Sequence, residues 1–231
     1  MRRRQFVTLC ARALALLGLS GCVAARPARS QLAAPSGQQE IALPPPHSQG
    51  ESSLEAVLSR RRSVREYVAQ ALSLAEIGQL FWAGQGMTAS WGGRTVPSAG
   101  ATYPLEMYAA TPEGCYHYLS RGHKVELLAE SDLREALYEA GLWQGSIRSA
   151  AAVFVIVAIY ERTAGRYGDR ARQYVHLEAG HAAQNLLLQA VALGLGAVPI
   201  GAFYDDKVQA ALALPADYKP LYLIPVGRPR A

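Results

Sequence analysis

The sequence predicts an α+β domain, a mixed sheet flanked by helices with one long helix buried at its centre. Three observations predict it. Residues 151–160 form a continuous apolar, β-branched run, as a strand buried on both faces requires. Residues 171–195 repeat Leu177, His181, Leu188, Ala192 and Leu195 at helical spacing. The apolar surface of that helix, through Leu186-Leu187-Leu188 and Ala190-Val191-Ala192, is wider than one amphipathic stripe, so it is either central or covered by a partner. Short strand-like and capped helical segments alternate around these two elements.

In chain order, Ser53 caps a first helix through Leu54, Val57 and Leu58. Ser73 opens a second, with Glu76 three residues on as in a capping box, and Gly84 and Gly86 stop it. Its apolar positions Leu74, Ile77, Leu80, Phe81 and Ala83 lie to one side. Residues 88–104 are polar and broken by Gly and Pro, and read as a loop. A strand over 106–110 follows, then a hairpin of 115–119 and 123–127 turning at Arg121-Gly122, then a helix over 132–140. Gly194 and Gly196 end the long helix. Residues 196–203 return as a strand, 205–212 as a short helix, and 221–226 as the last strand.

The ends are read apart from the domain. Arg2, Arg3 and Arg4, the short apolar run 14–19 and Leu19-Ser20-Gly21-Cys22 resemble the signal peptide and lipobox of bacterial lipoproteins. Residues 1–21 are therefore expected to be a signal, and Cys22 to be lipidated and to anchor the chain to a membrane at the cell envelope, facing the periplasm or exterior. Arg3-Arg4-Gln5-Phe6-Val7 also resembles a twin-arginine core, but Arg2 stands where a polar residue usually does, and both export routes stay open. Residues 22–51, rich in Ala, Pro, Ser, Gln and Gly, read as a flexible tether, and 52–231 as the domain.

The formal charge of +5 comes largely from the signal. Residues 1–21 hold four arginines and no acid, leaving 19 basic against 18 acidic groups, so no nucleic-acid partner is implied. Of three cysteines only Cys115 remains in the mature domain, as a packed thiol, which excludes an intramolecular disulfide and a Cys-based metal site. His176 and His181 are five apart, about 140° round a helix, and do not share a face for metal binding.

Three arginines and a serine crowd into Arg61-Arg62-Ser63-Val64-Arg65. Extended backbone here sends Arg61, Ser63 and Arg65 to one side. Such a run is either a solvated basic patch or a cradle for a phosphate monoester, which guanidinium forks hold well.

With Glu66-Tyr67 this run resembles the opening phosphate motif of the nitroreductase-like flavoenzymes, with the SagB-type dehydrogenases as the most similar branch. Four later pieces resemble that family in the same order: Pro97-Ser98-Ala99-Gly100-Ala101-Thr102-Tyr103-Pro104, Glu178-Ala179-Gly180-His181-Ala182-Ala183-Gln184-Asn185, Pro199-Ile200-Gly201-Ala202-Phe203 and Pro225-Val226-Gly227-Arg228-Pro229. The resemblance implies a nitroreductase-like fold binding FMN noncovalently at a homodimer interface. Arg61, Arg62, Ser63, Arg65 and Arg228 would hold the phosphate and ribityl chain. Pro97, Ser98, Ala99 and Gly100 would meet the partner's flavin, and amides near Ile200, Gly201 and Ala202 would sit by its reactive edge.

The family's azoline-oxidising members carry a Lys-Tyr pair before the central helix; here Arg166-Tyr167 stands in its place. These two are the candidate catalytic residues, but arginine stays protonated and is a poor base, which puts azoline oxidation in doubt. The implied activity is hydride transfer through flavin N5 to a nitro, quinone or enone compound or a modified peptide. The alternative is a non-catalytic flavin- or ligand-binding envelope lipoprotein that keeps the fold.

Overall fold

A computed structural model describes residues 39–230 of the chain. The signal and Cys22 lie outside the described residues. The strands are β1 (Glu40–Ala42), β2 (Tyr67–Val68), β3 (Leu105–Thr111), β4 (Gly114–Leu119), β5 (Lys124–Ala129), β6 (Ala152–Ile159), β7 (Gly196–Ala197) and β8 (Tyr218–Pro229). The helices are α1 (Leu54–Arg60), α2 (Leu74–Gln85), α3 (Arg134–Ala140), α4 (Gly145–Ser149), α5 (Glu161–Tyr167), α6 (Ala171–Ala192) and α7 (Asp205–Ala211). The strands form one sheet in the order β1-β5-β4-β3-β6-β8-β2, with β7 also beside β8. Every named strand pair is antiparallel, and the parallel pairing expected of a mixed sheet is confined to a bridge between Ser63 and Ala197.

The central strand explains its own composition. Phe154, Ile156 and Ala158 of β6 pack with Phe81 of α2 and with Val175, Ala182 and Leu186 of α6. Val153, Val155 and Val157 face the opposite way and join Leu137, Ile147 and Val208 from α3, α4 and α7. Helices thus cover both faces, so alternation along β6 separates two cores rather than core from water. The expected long helix α6 buries Val175, Glu178, Ala179, Ala182, Ala183, Leu186, Leu187 and Ala190, while Leu177, His181 and Gln184 stay exposed. Both expected caps form: Ser53 accepts from the Ala56 amide, and Ser73 and Glu76 make a reciprocal capping box.

Three expectations need correction. The tether assigned to 22–51 does not extend that far: β1 pairs with β5, Leu43 is buried, and the His47 amide donates to Gln79 Oε1 at 2.8 Å. Ile41 and Leu43 supply an alternating apolar face that a polar, Pro-rich composition hid. The strand expected over 196–203 is only β7 plus one bridge between Ile200 and Leu223, interrupted at Pro199, which has no amide to donate. The last strand is longer than 221–226, because β8 runs through Pro220 and Pro225 and accommodates the first beside a register shift at Ile156/Val157.

Candidate active site

The Arg61–Arg65 segment is held from beneath by hydrogen bonds. Arg61 is extended, with φ −56° and ψ 123°, and Ser63 bridges to Ala197. The Val64 amide donates to the Ala197 carbonyl at 3.0 Å. The Tyr67 hydroxyl sits within hydrogen-bond distance of two carbonyls, Val64 at 2.6 Å and Pro225 at 3.1 Å, and burial pushes this phenol up from its ordinary range. The segment therefore lies along β7 and the end of β8 with Arg65 and Ser63 exposed and Arg61 half-buried. Arg65 and Arg230 then share a cleft of about 490 Å³ with Gln144, Ser146 and Ser149. Gln144 also donates to the Ala202 carbonyl at 2.9 Å, linking this cleft to the 200–202 segment. Gly201 and Ala202 are exposed, and a Cβ added at Gly201 would meet nothing within 4 Å.

Three expected roles change in detail. Arg62 turns back onto the end of α1, donating to the Ser59 and Arg61 carbonyls at 3.0 and 2.8 Å, so it acts as a helix-end cap. Arg228 pairs with Glu76 at 2.7 Å instead of standing free for a phosphate. Burial pushes the Glu76 carboxyl up, but the Ser73 amide, the Arg228 guanidinium and the Ser73 hydroxyl together hold it below the ordinary carboxylate range. The Ile200 amide is committed to the Leu223 carbonyl at 2.8 Å, which leaves Gly201 and Ala202 as the exposed part of that segment. Sequence reasoning missed Arg230 and Gln144. The signal for Arg230 was its place two residues beyond Arg228.

A second group forms around residues 97–103. Gly100, Ala101 and Tyr103 all have positive φ, at 60°, 54° and 45°, and two of the three are not glycine. The turn is clamped from several sides. Ser98 Oγ accepts from the Tyr103 amide at 2.9 Å, and Thr102 and Thr163 hydroxyls meet at 2.9 Å. Arg162 donates to the Tyr103 carbonyl at 3.1 Å and Arg166 to the Gly100 carbonyl at 3.2 Å. Arg94 lies over the Tyr103 ring at 4.5 Å. Arg162 also pairs with Glu106 at 2.6 Å, fastening α5 to β3. A Cβ on Gly100 would come within 2.7 Å of the Tyr167 hydroxyl, so Arg166 and Tyr167 rest directly on the turn. The structure thus brings the two candidate catalytic residues together with Pro97, Ser98, Ala99 and Gly100.

These two groups sit at opposite ends of β6. Ala152 pairs with Val226 near the arginine segment, and Ala158 pairs with Leu105 near the turn. The seven steps of this eight-residue strand, at ~3.3 Å each, put its two ends roughly 23 Å apart.

An arginine-bearing segment near an exposed glycine, on a sheet covered by helices on both faces, gives an α+β domain with a second polar group of residues at the other end of β6. The chain belongs to the nitroreductase family, whose model matches residues 58–228, and it is an oxidoreductase of that family. A provisionally named nitroreductase of Methanocaldococcus jannaschii is 46% identical over 184 residues, 77% of this chain and 92% of the relative. A solved, provisionally named nitroreductase of Ralstonia eutropha has a TM-score of 0.75 at 30% identity, covering 83% of this chain and 90% of that one. Another, from Desulfovibrio desulfuricans and solved with FMN, shares the fold with a TM-score of 0.60 at 24% identity, covering 78% and 88%.

Proposed function

We propose that the protein is an FMN-dependent oxidoreductase that binds its flavin without a covalent bond between two copies of the chain. The carrying observation is the fixed, extended Arg61–Arg65 segment, with neither Arg61 nor Arg65 engaged in an ion pair among the described residues. The residues fit the cofactor. Arg61, Ser63, Arg65 and Arg230 offer donors for a phosphate monoester, and the open space at Gly201 admits a flat ring against backbone. The FMN in the D. desulfuricans structure supports the choice of flavin.

When bound, FMN would supply two-electron chemistry, linking a hydride donor such as a quinol to an acceptor. The chain's own part is binding and orientation. The arginines would hold the dianion, the Gly201–Ala202 backbone would meet the ring edge, and the 97–103 turn of the other copy would close the site. Arg166 works as a donor to the Gly100 carbonyl, and Tyr167 is the group on that turn able to orient a substrate or give it a proton. An arginine in this place disfavours the SagB-type azoline reaction and favours a nitro, quinone or enone acceptor. With Cys22 lipidated, the enzyme would act at the cell envelope, away from the cytosolic NAD(P)H pool.

Purified protein tests this directly. Flavin absorbance bands are expected, and their loss in the Arg61→Ala/Arg65→Ala variant; a colourless protein that refuses added FMN ends the proposal. The second reading, a flavin-binding module without turnover, is favoured by the commitment of Arg166 to the backbone. Bleaching by a chemical reductant followed by reoxidation with a nitroaromatic or quinone decides for the enzyme.

A further inference from the structure

We propose that Glu178 is the positioning residue of the 97–103 turn: its side chain, buried beneath the turn, keeps Ser98 and Arg94 where they hold it. Glu178 is only 2% exposed, and its Oε1 has no hydrogen-bond partner. Nearby Gln85, also 2% exposed, has an equally unpartnered Nε2. A bare buried carboxylate is costly, whereas a neutral carboxyl tolerates one unpaired oxygen far better. The groups that face Glu178 are Gln85 from α2, Arg94 from the loop after it and Ser98 from the turn, and behind Arg94 stand Tyr103, Glu106 of β3 and Arg162 of α5. Arg94 does not form an ion pair with Glu178; it donates to Gln85 Oε1 at 2.8 Å and stacks on Tyr103. Burial accordingly pushes the Glu178 carboxyl up to about 7, against smaller opposing pulls from Ser98, Arg94 and Gln85.

The turn needs such a support. Ala101 and Tyr103 are held in left-handed backbone, which persists only where the surroundings over-determine it. Ser98 and Arg94 are two of those surroundings, through the Tyr103 amide and the Tyr103 ring, and both face Glu178. Ionisation draws Arg94 off Tyr103 and Gln85 and loosens the turn. The sign follows from linkage: the closed turn raises the carboxyl's pKa, so closure is favoured at low pH and weakens as pH rises toward 7, then levels off.

Amide hydrogen exchange on the full chain without flavin reads this. Protection of the Tyr103 amide, corrected for intrinsic exchange, is expected to fall at least about tenfold between pH 5 and pH 7.5 in the wild type. In Glu178→Gln, which mimics the uncharged acid, it stays at the low-pH value. An unchanged pH dependence in Glu178→Gln overturns the proposal, as does flat protection in the wild type. Should that variant not fold, a 13C titration of Glu178 in the wild type gives the same decision: its midpoint must coincide with that of Tyr103 protection, and separate midpoints overturn the role. The inference relies on the FMN reading only for its consequence, weaker FMN uptake at high pH. Protein with pH-dependent protection that takes up no FMN supports Glu178 and sinks the flavin.

Discussion

Gly201 lets a structural role be tested apart from the proposed functional one. A Cβ there meets nothing, so the fold tolerates a side chain. Gly201→Val is therefore expected to change stability by less than about 0.5 kcal/mol while weakening FMN binding by tenfold or more. Thermal melting and flavin fluorescence quenching check the two halves, and a variant that binds FMN normally removes Gly201 from the site. Tyr67→Phe does the reverse. It removes the hydroxyl that meets the Val64 and Pro225 carbonyls, and is expected to cost about 1–2 kcal/mol and to loosen the arginine segment. At this scale the sequence foresaw an extended segment at Arg61, where φ is −56° and ψ 123°, because such a local conformation follows from local residues. It could not reveal that Arg228 pairs with Glu76, 152 residues away in the chain, or that Arg62 folds back onto α1. Side-chain partners of that kind are set by tertiary approach.

Among the elements, the start of α2 joins a local signal to a distant one. Its capping box was legible from Ser73 and Glu76, and the same Glu76 carboxylate holds Arg228 at the end of β8. Ser73→Ala is expected to cost about 1 kcal/mol. Glu76→Gln loses more, because one side chain serves both cap and ion pair. The pH dependence has a definite sign. The folded pKa of Glu76 lies below its ordinary 4.5, so its contribution is present above that value and is lost as pH falls through the depressed one. Acid unfolding followed by circular dichroism should start at higher pH in Ser73→Ala, where that depression is smaller, and an unshifted curve argues against the cap. Elements with such local signals, α1, α2, β6 and α6, were readable. β1, β2, α4 and α5 were not: three-residue, two-residue and five-residue elements carry too little periodicity, and α5 has no side-chain cap.

For the whole molecule, the decisive fact is the distance between the two polar stations along β6. From the proposed flavin site at Arg61 and Arg65, the 97–103 turn of the same chain lies roughly 23 Å away along β6, and a second copy running the other way would supply that turn. α6 runs from beside the turn to β7 and leaves Leu177, 53% exposed, with His181 and Gln184 on its outer face. An apolar residue on an otherwise solvated helix face fits a self-complementary contact. Leu177→Glu is therefore expected to convert a dimer into a monomer in sedimentation experiments, because a buried like-charge pair across a two-fold contact is costly. If each flavin site is shared as proposed, colour should disappear with the dimer, although Arg61 and Arg65 are untouched. A Leu177→Glu monomer that stays yellow at full occupancy would show that one chain completes the flavin site, and the shared-site arrangement would fall with it.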